Sequence, residues 1–550
     1  MRAPELITIL LEKRGITDPT VREHFLNPSY ERDLHDPFLL PDMEKSVERI
    51  LNAIAQNEKI VVYSDYDADG IPGAVILHDF FTSIKYQNVS YYLPHRHDEG
   101  YGLHTDAIDK FHIDGVQLVI TIDLGTTAVE PIAKAKKYGI DIIVTDHHIA
   151  PPVLPDAFAI INPHLAHSTY PEAILCGAGI AFKLACALIQ KKDDHFGLPT
   201  GYEKWFLDMA AIATLADMVP LVSENRALAY FGMKVLRKTR RAGLQHLLQL
   251  SGTAIDRLSE EDVTFTIAPR INAASRLENP YIAFDMLRDP SPLRSHPHAL
   301  KLHEINDRRK TLVASIMKET KKVLASRDVP KVLVLGNPKW HVGVLGLVAG
   351  KLCEEYQRPV FVWGEGGDGH LRGSCRSDGS VNLVHLMESV KDHFHVFGGH
   401  EGAGGFTVTR THVHALEDAL GASYDSLRIA VDSKTSIVAD TTLSLADVNR
   451  ENTDAIALLA PYGVGNPKPV FRFAQVVPHA VRQFGKTKEH LEVMFADADG
   501  TQKKAIAFFA KATSFKTPLI VGTPVDLFAT FDDSEYAGRK ELRLKISDIV

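Results

Sequence analysis

Asp65, Asp67 and Asp69 alternate in Ser64-Asp65-Tyr66-Asp67-Ala68-Asp69-Gly70, directly after the apolar run Ile60-Val61-Val62-Tyr63. Leu118-Val119-Ile120-Thr121-Ile122 ends at Asp123, Ile142-Ile143-Val144-Thr145 at Asp146-His147-His148, and Ala210-Ala211-Ile212-Ala213-Thr214-Leu215-Ala216 at Asp217. Each acidic group thus sits at the polar end of an apolar run. Carboxylates crowded together repel and raise one another's pKa, so such a cluster calls for cations. Carboxylates with histidine suit Mn²⁺ or Mg²⁺, and the lack of cysteine among them argues against a thiolate site.

The first three runs have the composition of buried parallel strands. In an open α/β sheet, ligands bind beyond the carboxyl ends of the strands, where these acidic groups would be gathered. Strand-like runs alternate with amphipathic helices from about residue 46 to 200, the signature of a parallel sheet. Residues 203–250 read as mainly helical, broken at Asp217-Met218-Val219-Pro220. Pro290, Pro292 and Pro297 predict a loop, followed by a long connecting helix over about 298–326. A second α/β unit starts at Lys331-Val332-Leu333-Val334-Leu335-Gly336, with glycine-rich stretches at 364–373 and 398–405. From 435 on, short β-rich runs alternate with turns and predict a small all-β barrel, OB-like in character. The expected organisation is a helical lead (1–45), a parallel-sheet α/β domain (46–295), the connecting helix (296–328), the second α/β domain (329–432) and the barrel (433–550).

Asp65-Tyr66-Asp67-Ala68-Asp69-Gly70 followed by Asp146-His147-His148 resembles the DHH phosphoesterase superfamily. Further segments narrow the resemblance to the RecJ single-strand-specific exonucleases. They are His95-Arg96 with Glu99-Gly100-Tyr101-Gly102, Ala213 to Leu221, Pro269 to Leu277, Trp340 to Gly346, Gly373 to Ser377, Gly398-Gly399-His400 and Gly463 to Pro467. They run in order from about residue 60 to 470. The resemblance implies two divalent metals, Mn²⁺ or Mg²⁺, held by Asp67, Asp69, Asp123, His147 and Asp217, with Asp65 as a further ligand. Asp123 is the candidate bridge and His148 faces the phosphate. Two ions about 4 Å apart activate water and stabilise the oxygens of an in-line displacement, so no separate general base is assigned. Tyr63 departs from the family pattern where relatives carry a metal-binding histidine. Leu124, Ser275 and Cys375 are further departures, in the surroundings of Asp123 and in the loops.

Each motif also has a plain structural alternative. An EF-hand would need a glutamate six residues after the glycine, and that position is Ile76. Asp146 could cap a helix beside bystander histidines, and Asp217 could be a cap at a helix break. Their joint occurrence favours the metal site.

The second α/β unit resembles the DHH-associated domain. That resemblance implies a cleft in which Arg96, Asn272, Arg276, Ser374 and Arg376 bind substrate, the arginines and Ser374 holding the 5′ phosphate and backbone, with His400 near the scissile phosphate. Glycines let backbone N–H groups approach phosphate oxygens, and arginine adds bidentate binding. The barrel would track single strands by charge and stacking, with Phe471, Phe473, Phe508 and Phe509 as candidate platforms, at most one or two of which serve.

The implied activity is 5′→3′ digestion of single-stranded DNA to 5′ mononucleotides, in recombination and repair. The alternatives are a nanoRNase-type enzyme or phosphoadenosine phosphatase, which lack the barrel, and a non-cleaving DNA-binding scaffold, which would have lost metal ligands. Single-stranded-DNA-binding protein and a RecQ-type helicase are the implied partners.

Composition is consistent with this. The chain has 550 residues, 45% hydrophobic and 24% charged, as in globular multidomain proteins. Its net charge of −8 argues against a simple nucleic-acid coat, leaving only local basic tracks to contact substrate. His95-Arg96-His97, Arg237 to Arg241 and Arg308-Arg309-Lys310 are candidate tracks. Cys176, Cys186, Cys353 and Cys375 form no C-x-x-C pair, which fits a reducing cytosol. The N-terminus makes a poor signal peptide, and with no run of eighteen apolar residues no membrane span is expected.

Overall fold

The computed structural model of the chain describes residues 1–192, 194–366, 369–429, 437–485, 488–536 and 539–550. β1 (Ile60–Ser64), β2 (Val89–Tyr92), β3 (Leu118–Ile122), β4 (Asp141–Thr145) and β5 (Ala159–Ile161) form one parallel sheet in the order β2-β1-β3-β4-β5. The three central strands are rich in β-branched residues, which suit a pleated surface covered on both sides. Alternation then assigns the faces: Ile60, Val62, Ile120 and Ile143 join one core, and Val61, Tyr63, Val119 and Val144 the other. Helices Gly70–Ser83, Gly177–Lys191 and Leu207–Ala216 cover the first face and are themselves almost wholly buried.

The connector is a helix over Pro292–Leu324, so it begins earlier than expected and contains Pro297. Pro292 stands in its first turn, where the missing N–H costs nothing. Pro297 removes a bond to the carbonyl of Leu293, a residue 89% exposed, so water can serve that oxygen.

The second domain carries a mixed sheet, with β6 (Leu333–Gly336), β7 (Val360–Glu365), β8 (Leu371–Arg376), β9 (Phe394–Gly399) and β10 (Ala403–Val408) in the order β6-β7-β8-β10-β9. Gly405 pairs with Ser374 on one side and Gly398 on the other, which places the glycine-rich segments side by side.

At the C-terminus follow β11 (Thr441–Thr442), β12 (Phe471–Phe484), β13 (His490–Ala496), β14 (Gln502–Ala507), β15 (Val525–Tyr536) and β16 (Arg539–Ile549). The order β12-β13-β14-β16-β15, closed by β12 against β15, makes a five-stranded barrel. Its core takes in Leu6, Leu10 and Leu11 of helix Ala3–Lys13, so the start of the chain packs into its last domain. Arg14 Nε donates to Asn466 Oδ1 at 2.9 Å across the same junction. Among the described residues no helix is long and apolar enough to cross a membrane.

Candidate metal centre and substrate cleft

The acidic groups meet at the carboxyl edge of the parallel sheet. Asp67 Oδ1 accepts the N–H groups of Asp69 and Gly70 (2.8 and 3.1 Å), which folds the segment after β1 into a turn. Asn272 Oδ1 accepts the Ala68 N–H at 2.8 Å and pins that turn from outside. Asp69 receives the N–H groups of Gly177 and Ala178, each at 2.7 Å, at the positive end of helix Gly177–Lys191. Only glycine fits at 177, because a Cβ there would lie 2.5 Å from the Cβ of Asp123.

Asp123 ends β3 with a left-handed backbone (φ 62°), a conformation uncommon for a non-glycine residue and typical of functional sites. His147 Nε2 lies 3.0 Å from Asp123 Oδ1, 3.7 Å from Asp69 Oδ2 and 3.9 Å from Asp217 Oδ2. His148 Nδ1 lies 2.7 Å from Asp146 Oδ1 and 3.9 Å from Asp123 Oδ1. Three overlapping groups could each hold a cation: Asp65–Asp67–Asp123, Asp69–His147–Asp217 and Asp123–His147–His148. Asp123 and His147 each belong to two of them.

Asp65 and Asp123 are each buried; Asp65 Oδ1 has no hydrogen-bond partner, and Asp123 Oδ1 faces only the His147 ring nitrogen at 3.0 Å and, more distantly, that of His148. A buried carboxylate oxygen without a donor is costly unless something positive meets it. Burial, with Asp67 beside Asp65 and with Asp69, Asp67 and Asp65 around Asp123, pushes both carboxyls well above the usual range. Burial and the charges of Asp69 and Asp67 push Asp217 up to about 8. Asp146 behaves oppositely: despite burial, its bonds to His148 and Thr126 take it down to about 2. It therefore stays ionised and orients the His148 ring. The all-oxygen and imidazole donors, the unpartnered oxygen and the elevated carboxyls fit hard divalent cations.

The cleft's other wall is basic. The Arg96 guanidinium stacks 5.0 Å over the ring of Tyr66. Arg276 is half-buried, and loss of solvent with the charges of Arg96 and Arg309 holds it down to about 10. The second domain docks here through Gly343, where a Cβ would fall 1.9 Å from the Arg276 carbonyl oxygen. One turn on, Arg376 Nη2 and Ser374 Oγ lie 3.2 and 3.6 Å from the Cβ position of Gly346. Arg372 Nη1 donates to the His97 carbonyl at 3.1 Å, a second tie across the cleft. His400 occupies the turn between β9 and β10, its N–H bonded to the Ala403 carbonyl (2.8 Å) and its side chain exposed.

Profiles of three known families match the chain: "DHH family, N-terminal domain" over 59–214, "DHHA1 domain" over 329–445 and "RecJ OB domain" over 439–548. A curated relative from Bacillus subtilis, "Single-stranded-DNA-specific exonuclease RecJ", is 33% identical over 99% of this chain and 67% of its own length. The protein of the same name from Escherichia coli is 30% identical over 93% of this chain and 90% of its own. The chain belongs to the RecJ family. A crystal structure of RecJ from Thermus thermophilus in complex with Mn²⁺ superposes with a TM-score of 0.81 at 26% identity, covering 99% of this chain and 75% of that one. A second, in complex with Mg²⁺, gives 0.75 at the same identity.

Several details extend the sequence expectations. Tyr63 is no ligand: it stacks on Tyr92 within the core, and its hydroxyl donates to the Gly102 carbonyl at 2.9 Å. Asp65 stands in the neighbouring ligand group instead. Leu124 and Cys375 are core residues, and Ser275 is fully buried. Phe471 and Phe473 are likewise buried in the barrel core and offer no stacking face, whereas Phe508 and Phe509 are 46% and 81% exposed. Within the run Arg237 to Arg241, Arg241 is a structural residue held between Asp79 and Asp208, while Arg237, Lys238 and Arg240 are exposed and Arg237 Nε bonds the Leu258 carbonyl. Arg308 pairs with Glu278 at 3.0 Å. Tyr101 was not singled out from sequence as a site residue. Its hydroxyl donates to the Asp123 carbonyl (3.1 Å) and lies 3.3 Å from His148 Nδ1. The only signal was its place between two glycines, Gly100 and Gly102, both with positive φ.

Proposed function

We propose that the chain digests single-stranded DNA from its 5′ end, releasing 5′ mononucleotides. It is a metal-dependent exonuclease of the RecJ family, and the observation that carries the finer reading is the pairing of two walls. Buried carboxylates, one with an unpartnered oxygen, lie on one side, and arginines without carboxylates of their own on the other. Asp67, Asp69, Asp123, His147 and Asp217 would hold two divalent cations, Mn²⁺ or Mg²⁺, with Asp65 as a further candidate ligand. When bound, the cations supply Lewis-acid stabilisation of the phosphoryl oxygens and of the attacking water. Arg96, Arg276, Ser374 and Arg376 hold the 5′ phosphate. His148, oriented by Asp146, and His400 face the scissile phosphate. Asn272 supports the substrate wall by holding the Asp65–Asp69 turn in register.

A water oxygen bonds to phosphorus, the P–O3′ bond breaks, and the departing 3′ oxygen takes up a proton. The remaining strand keeps a new 5′ phosphate, the same group that the arginines grip, so each cycle regenerates its own substrate. The closed barrel favours long strands over the short oligomers of nanoRNase-type enzymes. We further propose action in the cytosol in recombination and repair, with single-stranded-DNA-binding protein and a RecQ-type helicase as partners.

The test is digestion of 5′-phosphorylated, 3′-labelled single strands with Mn²⁺, beside the 5′-labelled strand and the duplex. The expected result is early mononucleotide release from the 5′ label, progressive shortening of the 3′-labelled strand, an intact duplex and an inert Asp123→Ala. Activity that survives Asp123→Ala overturns the metal assignment, and binding without cleavage by the wild type moves the chain to the scaffold class.

A further inference from the structure

Three neighbouring strands of the parallel sheet lead into buried polar side chains that are not metal ligands. Thr126 lies in the turn after β3, Asp146 follows β4 and Asn162 follows β5, and none is more than 2% exposed. None of the three belongs to a group that could hold a cation among the described residues. Asn162 uses its whole amide. Its Nδ2 donates to Thr126 Oγ1 at 3.0 Å and to the His148 carbonyl at 2.9 Å, and its Oδ1 accepts the His164 N–H at 2.8 Å. These partners fix which way the amide points, because a carbonyl only accepts and a backbone N–H only donates. Thr126 in turn donates its N–H to Asp146 Oδ2 at 2.9 Å. Its hydroxyl accepts from Asn162 and so keeps its own proton for the same carboxylate. Asp146 Oδ1 accepts the N–H groups of His147 and His148, at 2.8 and 3.2 Å, and lies 2.7 Å from His148 Nδ1.

The contacts close into a circuit: Asn162 to Thr126, Thr126 to Asp146, Asp146 to His148, and His148 back to Asn162. Three members are hidden from water, while the His148 side chain is 41% exposed. Buried polar groups cost free energy unless each is paired, and a fully paired network holds one geometry. Strand ends in a covered sheet can be filled by apolar residues that need no partners. This circuit does what an apolar filling would not: it fixes both the main chain and the imidazole of one histidine. With Nδ1 turned to Asp146, Nε2 is the nitrogen left for a substrate. From the exposed side the Tyr101 hydroxyl comes within 3.3 Å of Nδ1, but its proton goes to the Asp123 carbonyl.

We propose that Asn162 and Thr126 are positioning residues for the cleavage reaction, holding His148 where it meets the scissile phosphate. Asn162 sets the His148 main chain through its carbonyl, and Thr126 sets the imidazole through Asp146. The carboxylates of the centre have separate supports: Asp69 rests on the N–H groups of Gly177 and Ala178, and Asp67 on those of its own turn. Loss of the Asn162 amide therefore reaches the chemical step through His148 and leaves those carboxylates in place. The inference rests on the nuclease reading above, in which His148 faces the phosphate.

The test is steady-state cleavage of 5′-phosphorylated single strands with Mn²⁺, joined to calorimetric Mn²⁺ titration and thermal melting of each variant. Asn162→Leu keeps the volume and removes the amide. It should lower kcat about ten- to a hundredfold, the range for outer partners of metal-site side chains, with KM and Mn²⁺ affinity within about threefold of wild type. Thr126→Val should lower kcat in the same way, and Thr126→Ser, which retains the hydroxyl, should recover most of the loss. In a His148→Gln background, Asn162→Leu should cost less than about twofold more, because residues that act as a unit are not additive. If Asn162→Leu fails to fold, Thr126→Val and Thr126→Ser carry the same comparison, with Thr126→Val silent in the His148→Gln background. Unchanged kcat in Asn162→Leu and Thr126→Val, or losses that add in full to that of His148→Gln, would overturn the proposal. A loss of Mn²⁺ affinity as large as the loss of kcat would overturn it as well. His148→Gln with the kcat of wild type would remove the role of His148 and this inference with it, whereas a wild type that cleaves nothing would remove the nuclease reading on which both rest.

Discussion

At the scale of single residues, the centre is governed by where protons sit when no cation is bound. The Asp217 carboxyl titrates near 3.8 in the unfolded chain and near 8 in the folded one, because burial and the charges of Asp69 and Asp67 oppose its ionisation. Between those values the folded state holds the proton and the unfolded state does not. Its contribution to stability is therefore complete below about pH 4 and is lost as pH rises through 8. The metal-free protein should show a melting temperature that falls from pH 5 to pH 8, and Asp217→Asn should flatten that fall. Mn²⁺ should restore stability with proton release, binding more tightly as pH rises, because the ligand must be ionised. Calorimetric titration in buffers of different ionisation enthalpy measures the protons released. A melting temperature independent of pH would contradict this account.

At the scale of elements, the barrel separates aromatic residues that look alike in sequence. Phe473 alternates inward along β12 and is fully buried, while Phe509 stands exposed after β14, its N–H bonded to His490 Nδ1 at 3.1 Å. Phe473→Ala should cost about 3–5 kcal/mol of stability, the range for a large core truncation. Phe509→Ala should leave the melting temperature in place and weaken single-strand binding by about 1–3 kcal/mol, the worth of one stacked base. Thermal denaturation and strand binding measured on both variants distinguish core from platform. Comparable losses of stability in the two would show that Phe509 is a packing residue.

At the scale of the molecule, the chain closes on itself. Helix Ala3–Lys13 completes the barrel core, and Arg226 of the catalytic domain reaches into the segment that precedes β12. Arg226 is buried, donates to the carbonyls of Leu459 and Ala460 at 2.9 Å each, and stacks 3.8 Å from the ring of Phe25. One side chain thus ties three parts of the sequence together. Arg226→Met keeps most of the volume but leaves the Ala460 carbonyl unpaired, at about 1–3 kcal/mol for a buried group, while the Leu459 carbonyl keeps the Asn466 amide at 2.8 Å. The barrel should loosen from the catalytic domain while the metal centre persists. The expected result is retained cleavage of short oligomers with earlier dissociation from long strands, read as a shift in product length under single-encounter conditions. Unaltered product lengths would place strand tracking elsewhere.

Much of this protein could be read from its residues because the relevant physics is local. β-Branched runs ending in Asp predicted the central parallel strands, and the order of those endings placed the carboxylates at one edge. Alternation and turn residues marked a β-rich last domain. What only the tertiary structure decided depends on groups distant in sequence. Tyr63 reads in sequence as a departure from a metal-binding histidine, but that its ring stacks on Tyr92 is seen only in the fold, and Phe473 was assigned to the core only by barrel closure. Arg241 lies in a basic run that reads as a candidate track, yet the fold places it between Asp79 and Asp208, 2.7 Å from each. Composition and spacing report what a side chain can do; whether a counter-charge lies within reach depends on how the chain is folded back on itself, and that is why Arg241 reads as a candidate track in sequence and as a structural residue in the fold.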